Sequence, residues 1–146
     1  MNECVWFKNT KMMSHYFEHD ADVGIIGRGS TVEQAFESAA EAVFAIVTNL
    51  EAVQPDISVA FEFAEEDLEF ALVTWLNLLL GKARELGMVF CRFRIHRQGN
   101  LWQAEALGGK WHADLEHGVE VKGATLTMLS VKQIGTIWEA RCVVDV

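Results

Sequence analysis

Four oxygen- or nitrogen-bearing side chains fall within five positions of one short run: Glu18, His19, Asp20 and Asp22 in Phe17-Glu18-His19-Asp20-Ala21-Asp22-Val23-Gly24. Carboxylates at this density are the donor set that hard divalent cations prefer. Asp20 and Asp22 lie two residues apart, so on an extended backbone they point the same way, and Gly24 allows close approach of the main chain. The chain stops at Cys142-Val143-Val144-Asp145-Val146, where a side-chain carboxylate adjoins the terminal one. Two acidic ends could meet at one cation.

Other chemistries fit less well. Counted from Asp20, the twelfth position of an EF-hand loop is Thr31, not a bidentate glutamate. Asp20 or Asp22 can equally cap a turn, with no metal involved. His15 and His19 are spaced to share a strand face, yet no cysteine lies near them to complete a zinc site. The chain has no GxSxG elbow, no phosphate-binding glycine loop and no dinucleotide fingerprint. Glu120 and Lys122, in Val119-Glu120-Val121-Lys122, form a charged pair in an apolar stretch, which is either an exposed strand face or a functional one.

Periodicity predicts the elements that must position these groups. Val23 to Gly29 reads as a short buried strand closing in a turn. Ser30 with Glu33 forms a capping-box pattern, followed by a helical stripe of Val32, Ala35, Phe36, Ala39, Val43, Ile46, Val47 and Leu50. Glu33, Glu37 and Glu41 recur on the opposite face as a solvated surface. After the break at Pro55, Ile57 to Phe63 alternates with the period of a half-buried strand. A second helix runs from Glu66 or Asp67 to Leu86, with Asp67 at its positive end and Gly87 as its C-cap. The rest reads as sheet: Val89 to Arg97, a turn at Gln98-Gly99-Asn100, Leu101 to Leu107, Gly118 to Val131, a turn near Gly135, and Thr136 to Val146. The expected architecture is α+β, with two helices packed on one face of a mixed, mostly antiparallel sheet. Residues 1–146 are expected to form one domain, with 1–12 as an N-terminal extension.

Bulk properties bound the function. The chain has 146 residues, and its 51% hydrophobic content suits one core. Twelve basic residues against 21 acidic ones leave a net charge of −9, the wrong sign for neutralising nucleic-acid phosphates. Direct nucleic-acid binding is therefore not expected. Cys4, Cys91 and Cys142 are far apart and odd in number, as in a reducing compartment. With no apolar run long enough for a membrane span and no signal-peptide pattern, a soluble, unprocessed cytoplasmic protein is expected.

Several of these runs together resemble the archease family, the small activators of the GTP-dependent RNA-splicing ligase. The strongest similarity is Phe17-Glu18-His19-Asp20-Ala21-Asp22-Val23-Gly24-Ile25. It continues through Thr31 to Ala40, Asp67-Leu68, Trp75-Leu76-Asn77, Glu120-Val121-Lys122 with Thr125, and Val143-Val144-Asp145-Val146. The resemblance implies an archease-like fold and a non-enzymatic role: promoting guanylylation and multiple turnover of the ligase in tRNA splicing or RNA repair. It implies a divalent metal, commonly calcium, with magnesium or manganese as alternatives, held by Asp22, Asp145 and Val146. Glu18, His19 and Asp20 would be additional ligands or supports, and Lys122 would act in ligase activation.

Two departures from the family pattern stand out. Asp20 replaces a usual threonine, and Gly123-Ala124-Thr125-Leu126-Thr127 lacks the usual aromatic and histidine. Two rival readings follow from the same residues. One is a metal-dependent phosphoester hydrolase with His19 as base; the other is a metal-independent chaperone or subunit of an RNA-processing enzyme.

Overall fold

A computed structural model describes residues 5–7 and 22–146. Glu18, His19 and Asp20, and with them His15, lie outside the described residues. The elements in chain order are β1 (Val5–Phe7), β2 (Asp22–Gly29), α1 (Val32–Val47), a 3-10 turn (Leu50–Ala52), β3 (Ile57–Ala64), α2 (Leu68–Leu86), β4 (Met88–Gln98), β5 (Leu101–Lys110), β6 (Gly123–Ala124), β7 (Ser130–Ile134) and β8 (Ile137–Asp145). The α+β class and the two helices are as expected. The described strands form two sheets, both antiparallel, where one mixed sheet was predicted. The larger runs β1-β2-β8-β6, with β7 also paired to β8, and the smaller runs β3-β5-β4. Val5–Phe7, inside the predicted extension, supplies the edge strand β1, paired to residues 23–25 of β2.

Helix α1 starts one residue later than the capping pattern predicted. Thr31, not Ser30, is the N-cap, its hydroxyl accepting from the Gln34 N–H at 3.1 Å, while the Gln34 side-chain oxygen accepts from the Ser30 N–H at 2.9 Å. Gln34 stands in the place expected for Glu33, but its return bond goes to the Ser30 N–H, one residue before the cap, where a capping box would use the N–H of the cap itself. Val32, Ala35, Phe36, Ala39, Ala40 and Val43 face inward. A Cβ at Gly27 would strike the Ala35 carbonyl and the Ala39 amide, so glycine there lets α1 lie directly on β2. Glu37, predicted to be only a solvated surface residue, accepts from the Ile95 N–H of β4 at 3.0 Å. It thereby satisfies one backbone group on the outer edge of the smaller sheet.

Helix α2 behaves as its sequence predicts. Asp67 caps it through bonds from the Glu69 and Phe70 N–H groups at 2.9 and 3.0 Å, and it ends at Gly87 in the left-handed conformation. Its stripe of Ala71, Leu72, Trp75, Leu76 and Leu79 is buried. Phe36 of α1 stacks on Trp102 of β5 with ring centroids 5.0 Å apart, Trp75 of α2 stacks on Phe61 at 6.0 Å, and the Trp75 indole N–H donates to the Phe36 carbonyl at 2.9 Å. These contacts bind both helices to the smaller sheet. Ile25 of β2 and Cys142 and Val144 of β8 join the same apolar core from the larger one.

The largest departure concerns Gly118 to Val131, predicted as one strand. Only Gly123–Ala124 and Ser130–Ile134 are extended pairs. The reason lies at the end of α1, where the last carbonyls need donors. The Gly118 and Val119 N–H groups reach the Val47 and Ile46 carbonyls, each at 2.8 Å, and the Thr48 hydroxyl donates to the Glu116 carbonyl at 2.6 Å. That segment caps a helix, and so is unavailable to the sheet until residue 123.

Candidate metal centre

Strand β8 brings the predicted ends together. In its antiparallel register with β2, Asp145 stands directly opposite Asp22, and on its other side it stands opposite Gly123 of β6. Directly opposed residues of an antiparallel pair project from the same face with Cβ atoms about 4.5–5.5 Å apart. Both aspartates are partly exposed, as is Val146, which follows Asp145 and packs against the core. Like charges placed so are mutually destabilising unless a cation or donor lies between them. Two carboxylates and the main-chain oxygens of Val146 are an all-oxygen donor set, which fits a hard divalent ion and not zinc. Among the described residues no group of three or more His, Cys, Asp or Glu side chains could hold a metal ion.

Lys122 is placed by the same residue. Its N–H donates to the Asp145 carbonyl at 2.7 Å, and its own carbonyl accepts from the Arg84 guanidinium of α2 at 3.3 Å. Glu120 and Lys122 are exposed while Val121 between them is 3% exposed, anchoring the segment in the core. The Lys122 side chain therefore projects from the edge whose backbone is tied to Asp145.

Asn77 of α2 completes the edge, a role the sequence reading did not assign. Its side-chain oxygen accepts from the Ala124 N–H at 2.8 Å and its amide group donates to the Ala124 carbonyl at 3.4 Å. The side chain thus substitutes for a neighbouring strand along β6. A Cβ at Gly123 would come within 3.2 Å of the Asn77 oxygen, which explains a glycine beside the clip. The available signal was a polar residue inside the apolar run Leu76-Asn77-Leu78. Beyond β6, the Thr125 N–H and hydroxyl both donate to the Val143 carbonyl at 2.9 and 2.8 Å, and Met128 adopts a left-handed φ of 54°. Leu126 and Met128, 61% and 49% exposed, stand out from this loop.

The described cysteines are poor nucleophiles. Burial pushes the Cys142 thiol up to about 12, and burial also raises Cys91, with Arg92 pulling weakly the other way. His112 and His117 lie far along the chain from Asp22; His117 stacks on Trp111 at 4.6 Å, near the end of α2. No described helix is long and apolar enough to cross a membrane.

Known proteins resemble this chain in sequence and in fold over most of its length. Residues 15–146 match the model of the archease protein family. The chain is 32% identical over 134 residues to the archease of Sulfolobus acidocaldarius, covering 90% of this chain and 96% of that one. It is 31% identical over 137 residues to the archease of Pyrococcus furiosus, with the same coverage. Its fold is similar to the solution structure of protein 1598 of Methanobacterium thermoautotrophicum, with a TM-score of 0.69 and 26% identity over 87% of this chain and 92% of that one. It is also similar in fold to a Thermotoga maritima protein described as an archease and possible chaperone, with a TM-score of 0.67 and 22% identity over 88% and 94% of the two chains. A match across the acidic run, both helices and the end of β8 means that this chain belongs to the archease family.

Proposed function

We propose that this protein is a non-enzymatic, metal-binding activator of a GTP-dependent RNA ligase, promoting the ligase's guanylylation and repeated turnover. What supports the reading is one register: Asp22 opposite Asp145, with the Lys122 backbone bonded to Asp145. Asp22 and Asp145 serve as carboxylate ligands and Val146 contributes a main-chain oxygen. Asp22, Asp145 and Val146 would hold a divalent cation, with calcium the first choice, whose charge would offset that of the two carboxylates that the β2–β8 register sets opposite each other. Asp145 then holds the Lys122 backbone from one side and Arg84 from the other, so the lysine ammonium is offered to the partner from a fixed edge. A fixed cation aimed at developing phosphate charge costs little reorganisation when the partner reacts.

The test is a multiple-turnover ligation assay with the matching ligase, GTP, RNA and calcium or manganese. The protein should raise turnover, and Asp22→Ala, Asp145→Ala and Lys122→Ala should each abolish most of the gain. No stimulation by the unmodified protein sinks the proposal. Full stimulation by both aspartate variants would favour a chaperone acting by shape alone.

A further inference from the structure

Strand β6 is two residues long and pairs with β8 alone, Gly123 opposite Asp145 and Ala124 opposite Val144. A ladder this short is weak by itself, because ordinary strands run to about five or six residues. Its other side is closed by a single side chain, Asn77, which accepts from the Ala124 N–H at 2.8 Å and donates to the Ala124 carbonyl at 3.4 Å. Asn77 is exposed inside helix α2, so burial does not account for it. Helix propensity does not either, since asparagine is a poorer helix former than alanine, leucine or lysine. What remains is the bond pair to β6.

The clip holds more than Ala124. The Lys122 N–H donates to the Asp145 carbonyl at 2.7 Å and Gly123 stands opposite Asp145, so residues 122–124 and the end of β8 form one short ladder. Asp145 is in turn opposite Asp22 on its far side. Arg84, further along α2, reaches the Lys122 carbonyl at 3.3 Å, a longer bond from a longer side chain. Freed of the clip, the segment lifts from β8, and Asp145 loses the backbone partner that fixes it on the side away from Asp22. We infer that Asn77 is a positioning residue for the proposed site: through β6 it fixes the main chain of the ligand Asp145 and of Lys122 together. It acts through Ala124 and not on the cation itself. Groups that orient a metal ligand from outside typically change affinity or activity by about 10–100-fold when removed, and Asn77 acts at one further remove. The inference rests on the metal-binding activator reading.

The test sets Asn77→Ala beside Glu37→Ala, which removes a clip of the same kind from the Ile95 N–H of the smaller sheet. In metal-free Asn77→Ala the Lys122 and Ala124 amides should exchange about tenfold faster than in the unmodified protein. Calcium affinity, measured by calorimetry with the metal alone, should fall by about three- to tenfold. Maximum stimulation of ligation should fall by a similar factor, with the half-saturating protein concentration unchanged. Glu37→Ala should leave all of these as they are. General loosening of the fold would move both variants alike, and a lost contact with the ligase would raise the half-saturating concentration. If the unmodified protein binds calcium, but Asn77→Ala binds it within about twofold or Glu37→Ala weakens it as much, the role of Asn77 is overturned and the proposed function stands. A protein that binds no calcium overturns the metal reading and this inference with it. If it binds calcium and gives no stimulation, the activator reading alone falls, and calcium affinity and Lys122 exchange decide the role of Asn77.

Discussion

The aromatic centre and the β6 edge are built by different means. In the centre, Phe36, Trp75 and Trp102 are fully buried and stack within a few ångströms, so each is held by many weak contacts at once. At the edge, a two-residue strand is held by a few directed bonds: Asn77 to Ala124, Arg84 to Lys122, and Lys122 to Asp145. The centre gains its stability from area and shape; the edge gains position from geometry. The proposed cation site and the proposed partner-facing lysine would need placement more than burial, and their residues sit at this edge.

Mutation can break or sharpen that contrast. Trp75→Ala empties the centre and orphans the Phe36 carbonyl, and should cost about 3–5 kcal/mol in denaturant unfolding. Asn77→Ala removes the clip but gains helix propensity, for a net loss of about 1–2 kcal/mol. Its sharper readout is amide exchange, with the Ala124 N–H losing far more protection than the core of α2. An Asn77→Ala loss as large as that of Trp75→Ala would mean that the edge belongs to the core after all.

Met128→Gly relieves a left-handed backbone and should raise stability by about 0.5–1 kcal/mol, once glycine's own entropy is set against the relief. If ligase activation falls as stability rises, the strain serves the loop's function. The smallest effect belongs to Glu41 on the far side of α1. Partial burial, and then the neighbouring Glu37, hold its carboxyl above the ordinary value. The folded state therefore binds that proton more tightly than the unfolded chain, a contribution present at low pH and lost as pH rises through the raised value. Glu41→Gln should leave melting unchanged at pH 3 and stabilise at pH 7 by no more than about 0.5 kcal/mol.

Much of the centre was legible beforehand because burial leaves a period in the sequence. The stripes Ala35-Phe36-Ala39-Val43 and Ala71-Leu72-Trp75-Leu76-Leu79 are the buried faces of α1 and α2, and Asp67 and Gly87 mark the ends of α2. The capping box slipped by one residue because Ser30 and Thr31 are both competent caps, and local sequence does not choose between them. Gly118 to Val131 misled because alternation in an apolar stretch reads as strand whether its backbone pairs with a sheet or caps a helix.

The site divides in the same way. The sequence determined its chemistry, since a carboxylate at Asp22, another at Asp145 and an amine at Lys122 are fixed by residue type, and the archease resemblance could select them from the other acids. Their proximity was a tertiary decision. Asp22 and Asp145 are more than a hundred positions apart and meet only because antiparallel pairing of β2 with β8 puts them in register, a relation that no local period encodes. The clip beside Lys122 is likewise absent from any one segment, because Asn77 and Ala124 come together only where α2 packs beside β6.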